Sequence, residues 1–139
     1  MASIHVDIVS AEGSIFSGDA AMVFAPAEMG EIGIAPRHSP LITRLRTGEV
    51  RVQAANGDEQ MFFVSGGMLE VQPSMVTVLA DTAMRAKDID EAAALKAKQD
   101  AEEALAERKG DIDVARAQAE LAEAVARLKF IEKIRRNTR

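Results

Sequence analysis

The chain has 139 residues and a net charge of −5, and it contains no Cys, Trp or Tyr. This is the length of one ordinary domain, or of a small domain with an appendage. The absence of Cys excludes disulfides and thiolate metal sites and favours a reducing compartment. Residues 1–83 carry four basic and ten acidic side chains, whereas residues 84–139 carry thirteen and twelve. An acidic body without Trp or Tyr argues against nucleic-acid binding. No sequence feature predicts a secretory signal or direct membrane insertion.

The first part of the sequence has the period of β-strands. Ile4, Val6 and Ile8 recur at every second position, which is typical of a strand with one buried face. Asn56-Gly57 predicts a hairpin between strands at 50–53 and 61–64. Short strands with frequent turns predict an antiparallel β-sandwich over residues 1–83.

The pair Gly66-Gly67 stands between two stretches with strand composition. Glycine weakens a strand, so it marks a bulge, a corner or a close approach of two backbones. No Lys-Ser or Lys-Thr follows, so a phosphate-binding loop is not indicated.

The second part of the sequence, residues 84–139, has helical composition. The stretch 89–109 contains no Pro or Gly, Asp88 is the expected N-cap, and Gly110 is the expected end of the helix. Asp111 or Asp113 is expected to cap a second helix to about residue 136. Because the connection is short, the sequence predicts an antiparallel helical hairpin, and hence an α+β fold.

Small side chains dominate the expected contact between the two helices. At about 0.8 kcal/mol per CH₂, each Ala in place of Leu forgoes roughly 2 kcal/mol of burial. The hairpin is therefore expected to form readily and to dock weakly, either as a fixed cap or as an arm that detaches and refolds. The expected contact positions are Ala93, Ala97, Ala101 and Ala104 on the first helix, and Ala115, Ala119, Leu121, Ala122, Val125, Leu128 and Ile131 on the second.

The order of these segments resembles the epsilon subunits of bacterial rotary (F-type) ATP synthases. The resemblance rests on the segments HVDIVSAEGSIFSG, GEIGIAPRHSPL and VSGGMLEVQPSMVTVLADTA, followed by an Ala/Glu/Lys-rich hairpin. It implies a sandwich of about ten strands followed by a helix-turn-helix. It also implies that Gly66-Gly67 forms a sandwich corner, where a side chain would collide with the opposite layer.

The resemblance implies a non-catalytic rotor subunit that couples proton-driven rotation to ATP synthesis. The implied partners are the gamma subunit, the ring of c subunits, and the alpha/beta catalytic head, which the extended hairpin would inhibit. The implied location is peripheral, on the cytoplasmic face of the bacterial plasma membrane.

Two contact regions follow from the same resemblance. The loop Pro26–Gly33 corresponds to the loop that contacts the c-ring, with Glu28, Gly30 and Glu31 as candidate residues. A basic cluster on the second helix suits an acidic loop of a catalytic beta subunit. An ordinary solvated helix end explains this cluster equally well. Its members are Arg127, Lys129, Lys133, Arg135 and Arg136.

The sequence departs from the resembled pattern at two places. Ile89-Asp90 begins an incomplete ATP-binding motif, in which Ala93 stands where an Arg is expected. Strong ATP binding is therefore not expected, and no cofactor is implied. Arg37 stands in Pro36-Arg37-His38 where Gly is common, which predicts a type I turn or modest backbone strain.

The sequence leaves three alternatives open. An enzyme is disfavoured because His5, His38 and Ser39 form no recognisable catalytic set and no metal-ligand spacing appears. An ATP-sensing module would show saturable ATP binding. A generic adaptor would fail to bind the gamma subunit.

Overall fold

The computed structural model describes residues 2–89, 91–107 and 111–137 of the chain. It divides the chain into two compact units, with the boundary between Lys87 and Asp88. The first unit contains the strands β1 Ile4–Ser10, β2 Gly13–Ala20, β3 Met22–Ala27, β4 Gly30–Ile34, β5 Leu41–Gln53, β6 Glu59–Gln72, β7 Met75–Ala80 and β8 Ala83–Arg85. A 3-10 turn spans Ala86–Asp88, and the second unit contains the helices α1 Glu91–Glu107 and α2 Asp111–Asn137.

The strands form one sheet in the order β2-β1-β7-β6-β5-β3-β4, with β8 paired to β6. All pairs are antiparallel except β1–β7, which is parallel. Every strand contributes to a single apolar cluster, so the sheet folds around that cluster as the two layers of a sandwich. The predicted α+β class is confirmed.

The structure has eight strands in its described residues where about ten were expected. The two long strands explain the difference, because the pairing between them is interrupted part-way along both. No pair forms between Arg46 of β5 and Gly66 of β6, although the pairs on either side, Leu45↔Gly67 and Thr47↔Ser65, are present. At the same point β6 changes its second partner from β8 to β7. Counting each long strand as two segments brings the number to ten.

The strand period read from the sequence agrees with the burial. Ile4, Val6 and Ile8 are fully buried. The predicted hairpin at Asn56-Gly57 joins β5 to β6, and the amide of Ala54 donates to the carbonyl of Asp58 at 2.7 Å. Alternation therefore predicted the inward face of these strands correctly.

The structural boundary lies four residues beyond the division placed at residue 83. Ala83–Arg85 form β8, which pairs with Phe62–Val64 of β6. The Arg85 guanidinium also donates to the carbonyl of Ile15, with Nη2 at 2.6 Å. These contacts attach residues 84 and 85 to the sandwich.

The two helices form an antiparallel pair. Arg135, near the end of α2, forms an ion pair with Glu91 at the start of α1. The predicted cap at Asp88 is wrong, because Asp88 belongs to the 3-10 turn and α1 begins at Glu91. The predicted helix end at Gly110 and the side chains of Asp111 and Asp113 lie outside the described residues.

The predicted contact stripe of the helices is wrong in phase at its small positions, whereas its larger members are half-buried: Leu121, Val125, Leu128 and Ile131. Only Ala101 of the small positions chosen on the two helices is buried, and the others are exposed. The alanines that are buried share heptad spacing within each helix: Ala94 and Ala101 on α1, Ala117 and Ala124 on α2. A helix rich in Ala has little hydrophobic contrast around its circumference, so its sequence does not fix which face packs.

Candidate functional site

The β3–β4 hairpin ends in the two-residue turn Glu28-Met29, between the paired residues Ala27 and Gly30. The φ of Gly30 is 131°, a left-handed value that a side chain would strain. The Glu28 amide donates to the carbonyl of Arg44 on β5 at 2.9 Å. Met29 is 97% exposed at the tip. The turn is thus tied to the sandwich while its apolar tip faces outward.

The two acidic residues chosen in this hairpin have different surroundings. Glu28 is exposed in the turn. Glu31 lies on β4 and accepts a hydrogen bond from Nη2 of Arg51 at 2.9 Å. Its carboxylate is therefore already paired within the sandwich, which sequence spacing could not reveal because Arg51 is two strands away.

The double glycine lies where β6 changes partner. Gly66 and Gly67 have φ values of 84° and 124°. A Cβ on Gly67 would lie 2.0 Å from the carbonyl oxygen of Leu79. The expected collision with the opposite layer is corrected here, because the close neighbour is the backbone of the adjacent strand β7. The role that this geometry supports is structural.

The turn at Pro36-Arg37 resolves the second departure from the resembled pattern. The amide of His38 donates to the carbonyl of Ala35 at 3.2 Å, and Arg37 has a φ of 70°. This is the type II arrangement. The type I alternative is therefore wrong, and the alternative of backbone strain is the one observed.

Sequence reasoning missed an apolar surface on three neighbouring strands, which we call the outer patch. It consists of Ile42 on β5, Met68 on β6 and Leu79 on β7, with exposed fractions of 68%, 39% and 51%. Met68 is directly opposite Leu79, and Ile42 is opposite Glu70, two residues from Met68. All three side chains therefore leave the same face of the sheet. Adjacent apolar pairs such as Met68-Leu69 were the available signal, since both members cannot face one core.

The members of the predicted basic cluster on α2 differ in their contacts and in their exposure. Arg127 donates to Glu123 at 2.9 Å, and Arg135 pairs with Glu91. Lys133 is half-buried, whereas Lys129 and Arg136 are exposed. Because they are seven positions apart, Lys129 and Arg136 share a helix face.

The cleft between α1 and α2 is acidic. A cavity of about 230 Å³ is lined by Ala97, Asp100, Glu120, Glu123, Ala124 and Arg127. Three carboxylates face one guanidinium there, which is an unfavourable setting for a polyphosphate. Of the incomplete motif, Ile89 is half-buried and precedes α1, and Asp90 lies outside the described residues.

His5 lies in a hydrogen-bonded cluster with Asp7, Ser17 and Asp19. Both ring nitrogens of His5 lie 3.1 Å from carboxylate oxygens, Nδ1 from Asp19 and Nε2 from Asp7. Asp7 also accepts from the Ser17 hydroxyl at 2.7 Å. The Asp19 hydrogen bond is the main reason that the pKa of His5 is raised, and the Ser17 hydrogen bond is the main reason that the pKa of Asp7 is lowered. In the described part of the chain no group of three His, Asp or Glu side chains could hold a metal ion.

Two family models match the chain in succession. The beta-sandwich domain of the ATP synthase delta/epsilon chain matches residues 3–86, and the long alpha-helix domain of the same chain matches residues 87–132. This chain belongs to the ATP synthase delta/epsilon family. The two matches meet one residue before the boundary between the two folded units.

Relatives in the family cover the chain almost completely. An ATP synthase epsilon chain from Nitrosococcus oceani is 70% identical over 134 residues, which is 96% of each chain. Another from Alkalilimnicola ehrlichii is 62% identical and covers all of this chain and 99% of that relative. A chain in the Euglena gracilis mitochondrial ATP synthase structure shares the fold, with a TM-score of 0.71 at 19% identity, over 100% of this chain and 83% of that one.

Proposed function

We infer that the chain is the epsilon subunit of a bacterial F-type ATP synthase, a non-catalytic part of the rotor that couples proton-driven rotation to ATP synthesis. The observation that carries this conclusion is the pair of consecutive delta/epsilon matches over residues 3–132, supported by relatives at 70% and 62% identity. Its partners are the gamma subunit, the c-ring and the catalytic head.

The outer patch is the proposed contact for the gamma subunit. Three large apolar side chains exposed on one face are typical of a protein–protein interface. Leu79→Asp is expected to weaken gamma binding by more than about tenfold, because burial of one Leu contributes roughly 1.5–3 kcal/mol. Leu95→Asp is the matched control, since Leu95 is 45% exposed on α1. Equal binding by both variants would exclude this face.

The tip of the β3–β4 hairpin is the proposed contact for the c-ring. Glu28 and Met29 are exposed there, and Gly30 and Glu31 follow them on β4. Because exposed ion pairs contribute less than about 1 kcal/mol each, Glu28 is expected to orient the contact rather than to supply most of its affinity.

The helical hairpin is the proposed inhibitor of ATP hydrolysis. Among its basic residues, Lys129 and Arg136 are exposed on one face of α2 and are the first candidates for an acidic loop of a catalytic beta subunit. Replacing both with Ala is expected to reduce inhibition. Replacement of Arg116, which is paired with Glu120 at 3.4 Å elsewhere on α2, is the control.

The deciding experiment adds the purified chain to an epsilon-depleted catalytic sector and measures ATP hydrolysis. Full-length chain is expected to bind and inhibit, and a chain that ends at Lys87 to bind without inhibiting. Binding by both forms with inhibition by neither would leave a coupling subunit with a passive hairpin. Failure of both forms to bind would contradict the assignment.

We propose further that the isolated chain has no strong ATP site. The acidic cleft between α1 and α2 and the replacement of the motif Arg by Ala93 both disfavour a polyphosphate. Calorimetric titration with Mg-ATP is expected to give no saturable signal at micromolar concentrations. A saturable signal that is lost in Asp90→Asn would favour the nucleotide-sensing alternative.

The proposed location is peripheral, on the cytoplasmic face of the plasma membrane, as part of the assembled synthase. No helix within the described ranges is long and apolar enough to cross a membrane. Sedimentation with membranes that contain the synthase, and release when the catalytic sector is stripped, would support this location.

A further inference from the structure

The outer face of the β3–β4 hairpin carries a stack of side chains that spans three strands. Phe24 on β3 is directly opposite Gly33 on β4 and directly opposite Arg51 on β5. A Cβ on Gly33 would lie 3.3 Å from the Phe24 ring, so the ring covers the place where a Gly33 side chain would be. The Arg51 guanidinium lies over the ring, with its central carbon 4.3 Å from the ring centroid. This distance is within the range of a cation–π contact.

Arg51 continues past Phe24 to the edge strand. Its Nη2 donates to Glu31 on β4 at 2.9 Å, while Glu49 and Glu59 lie at 3.8 and 3.7 Å. The last two distances are beyond a hydrogen bond, so Glu31 is the specific partner. The side chain of Arg51 is 22% exposed, which leaves the contact partly shielded from solvent.

The strand that Arg51 reaches is at the edge of the sheet. β4 is the end of the strand order and pairs with β3. β3 pairs with β5 at Met22–Phe24 and again at Ala27, so β4 is attached to the rest of the sheet only through β3. A guanidinium stacked on Phe24 and bonded to Glu31 joins β4 to the inner strand β5, so it restricts rotation of the hairpin whose tip is Glu28-Met29.

We propose that Arg51 is a positioning residue for the c-ring contact, because its stack on Phe24 and its bond to Glu31 fix the orientation of the β3–β4 hairpin. The identity of the partner, the c-ring, rests on the proposed function. The role of Arg51 rests on the geometry. Glu31, a candidate contact residue, thereby acts mainly as the internal anchor of the hairpin, and the outward contact comes from Glu28 and Met29.

Two measurements on the same variants test the proposal. Hydrogen exchange of the full chain reports the hairpin itself. Arg51→Met is expected to accelerate exchange of the Glu31–Gly33 amides by about fivefold relative to the strands β1 and β7, which is the combined size of a cation–π contact and a partly exposed ion pair. Glu59→Gln is the control, because it removes a carboxylate that lies 3.7 Å from Arg51 and belongs to β6, not to β4.

The second measurement uses the holoenzyme reconstituted in vesicles with each epsilon variant. Arg51→Met is expected to lower proton pumping per ATP hydrolysed while gamma binding stays at the wild-type value, and Glu59→Gln to change neither. Arg51→Lys retains the charge without the planar stack and is expected to give intermediate values. If Arg51→Met does not fold, Glu31→Gln, which removes the charge from the other end of the contact, is expected to show the same accelerated exchange.

The outcomes separate this proposal from the function it rests on. Unchanged exchange in Arg51→Met and Glu31→Gln would overturn the positioning role whatever the assay of coupling shows. Accelerated exchange with normal pumping would also overturn it, because the orientation would then not matter to the ring contact. Failure of the wild-type chain to restore pumping would contradict the proposed function. The exchange data would still test whether Arg51 fixes the orientation of the hairpin.

Discussion

Two glycines with nearly the same φ show that glycine can be required at a position for different reasons. Gly67 and Gly13 have φ values of 124° and 127°. A Cβ on Gly67 would lie 2.0 Å from the Leu79 carbonyl oxygen, whereas a Cβ on Gly13 would meet nothing within 4 Å. Strain applies to both positions, and the collision applies to Gly67 alone.

Gly67→Ala is therefore expected to lower the free energy of unfolding by more than about 3 kcal/mol, since β6 and β7 must separate locally. Gly13→Ala is expected to cost about 1–2 kcal/mol from backbone strain. Urea denaturation of both variants measures the difference. Equal losses would mean that the close approach of β6 and β7 relaxes freely.

Arg37 offers the opposite experiment, because there a side chain occupies a left-handed position. Its φ is 70° and its side chain is exposed. Arg37→Gly is expected to raise the free energy of unfolding by about 1 kcal/mol, through relief of strain less the entropy that glycine adds to the unfolded chain. Arg44→Gly, in the exposed part of β5, is expected to lower it by about 0.5–1 kcal/mol. A destabilised Arg37→Gly would contradict the strain argument.

His5 joins the first two strands through charge as well as through the backbone. The raised pKa means that the protonated ring is favoured in the folded state, chiefly by Asp19. The resulting stabilisation is fully present below the ordinary pKa of 6.5 and is lost as the pH rises through the raised folded value. NMR titration is expected to give a pKa above 6.5 for His5 and a lower one in Asp19→Asn. A pKa at or below 6.5 for His5 in the wild-type chain would contradict a stabilising contact between His5 and Asp19.

At the scale of elements, strands were predicted better than helix faces. Alternation of Ile4, Val6 and Ile8 identifies an inward face, because polar and apolar residues differ sharply there. In α1 the buried Ala94 has the same side chain as the predicted contact residues Ala93 and Ala97, so composition predicts the helix but not its buried side. Contacts between distant strands, such as Arg51 with Glu31, were also beyond the sequence, because the pairing of β3 with β5 had to be known first.

The helix phase can be tested by enlarging one alanine at a time. Ala101 is 1% exposed, whereas Ala104 on the same helix is exposed. Ala101→Leu is expected to destabilise the hairpin by about 1–3 kcal/mol through overpacking, and Ala104→Leu to change it by less than about 0.5 kcal/mol. Thermal unfolding followed by helical circular dichroism measures both. Equal effects at the two positions would mean that Ala104 packs against the second helix, as the sequence predicts.

At the scale of the whole molecule, each unit contains its own set of stabilising contacts. The apolar cluster of the sandwich lies entirely within the first unit, and the α1–α2 contacts lie within the second. This division fits the proposed function, in which the sandwich binds the gamma subunit and the c-ring and the hairpin inhibits hydrolysis. The sequence predicted the two parts from their composition, but it placed their boundary within β8, after Ala83, because three residues are too few to show a strand period.

The position of the boundary gives the last prediction. A chain that ends at Lys87 keeps β8 and the bonds from Arg85 to Ile15, whereas a chain that ends at Ala83 loses both. The longer form is expected to keep the wild-type NMR shifts of β1 and β7. The shorter form is expected to lose about 2 kcal/mol or more in free energy of unfolding, through loss of a half-buried guanidinium contact and two strand pairs. Equal stability of the two forms would mean that β8 contributes nothing to the sandwich. In that case the rotor-binding unit would end where the sequence alone had placed it.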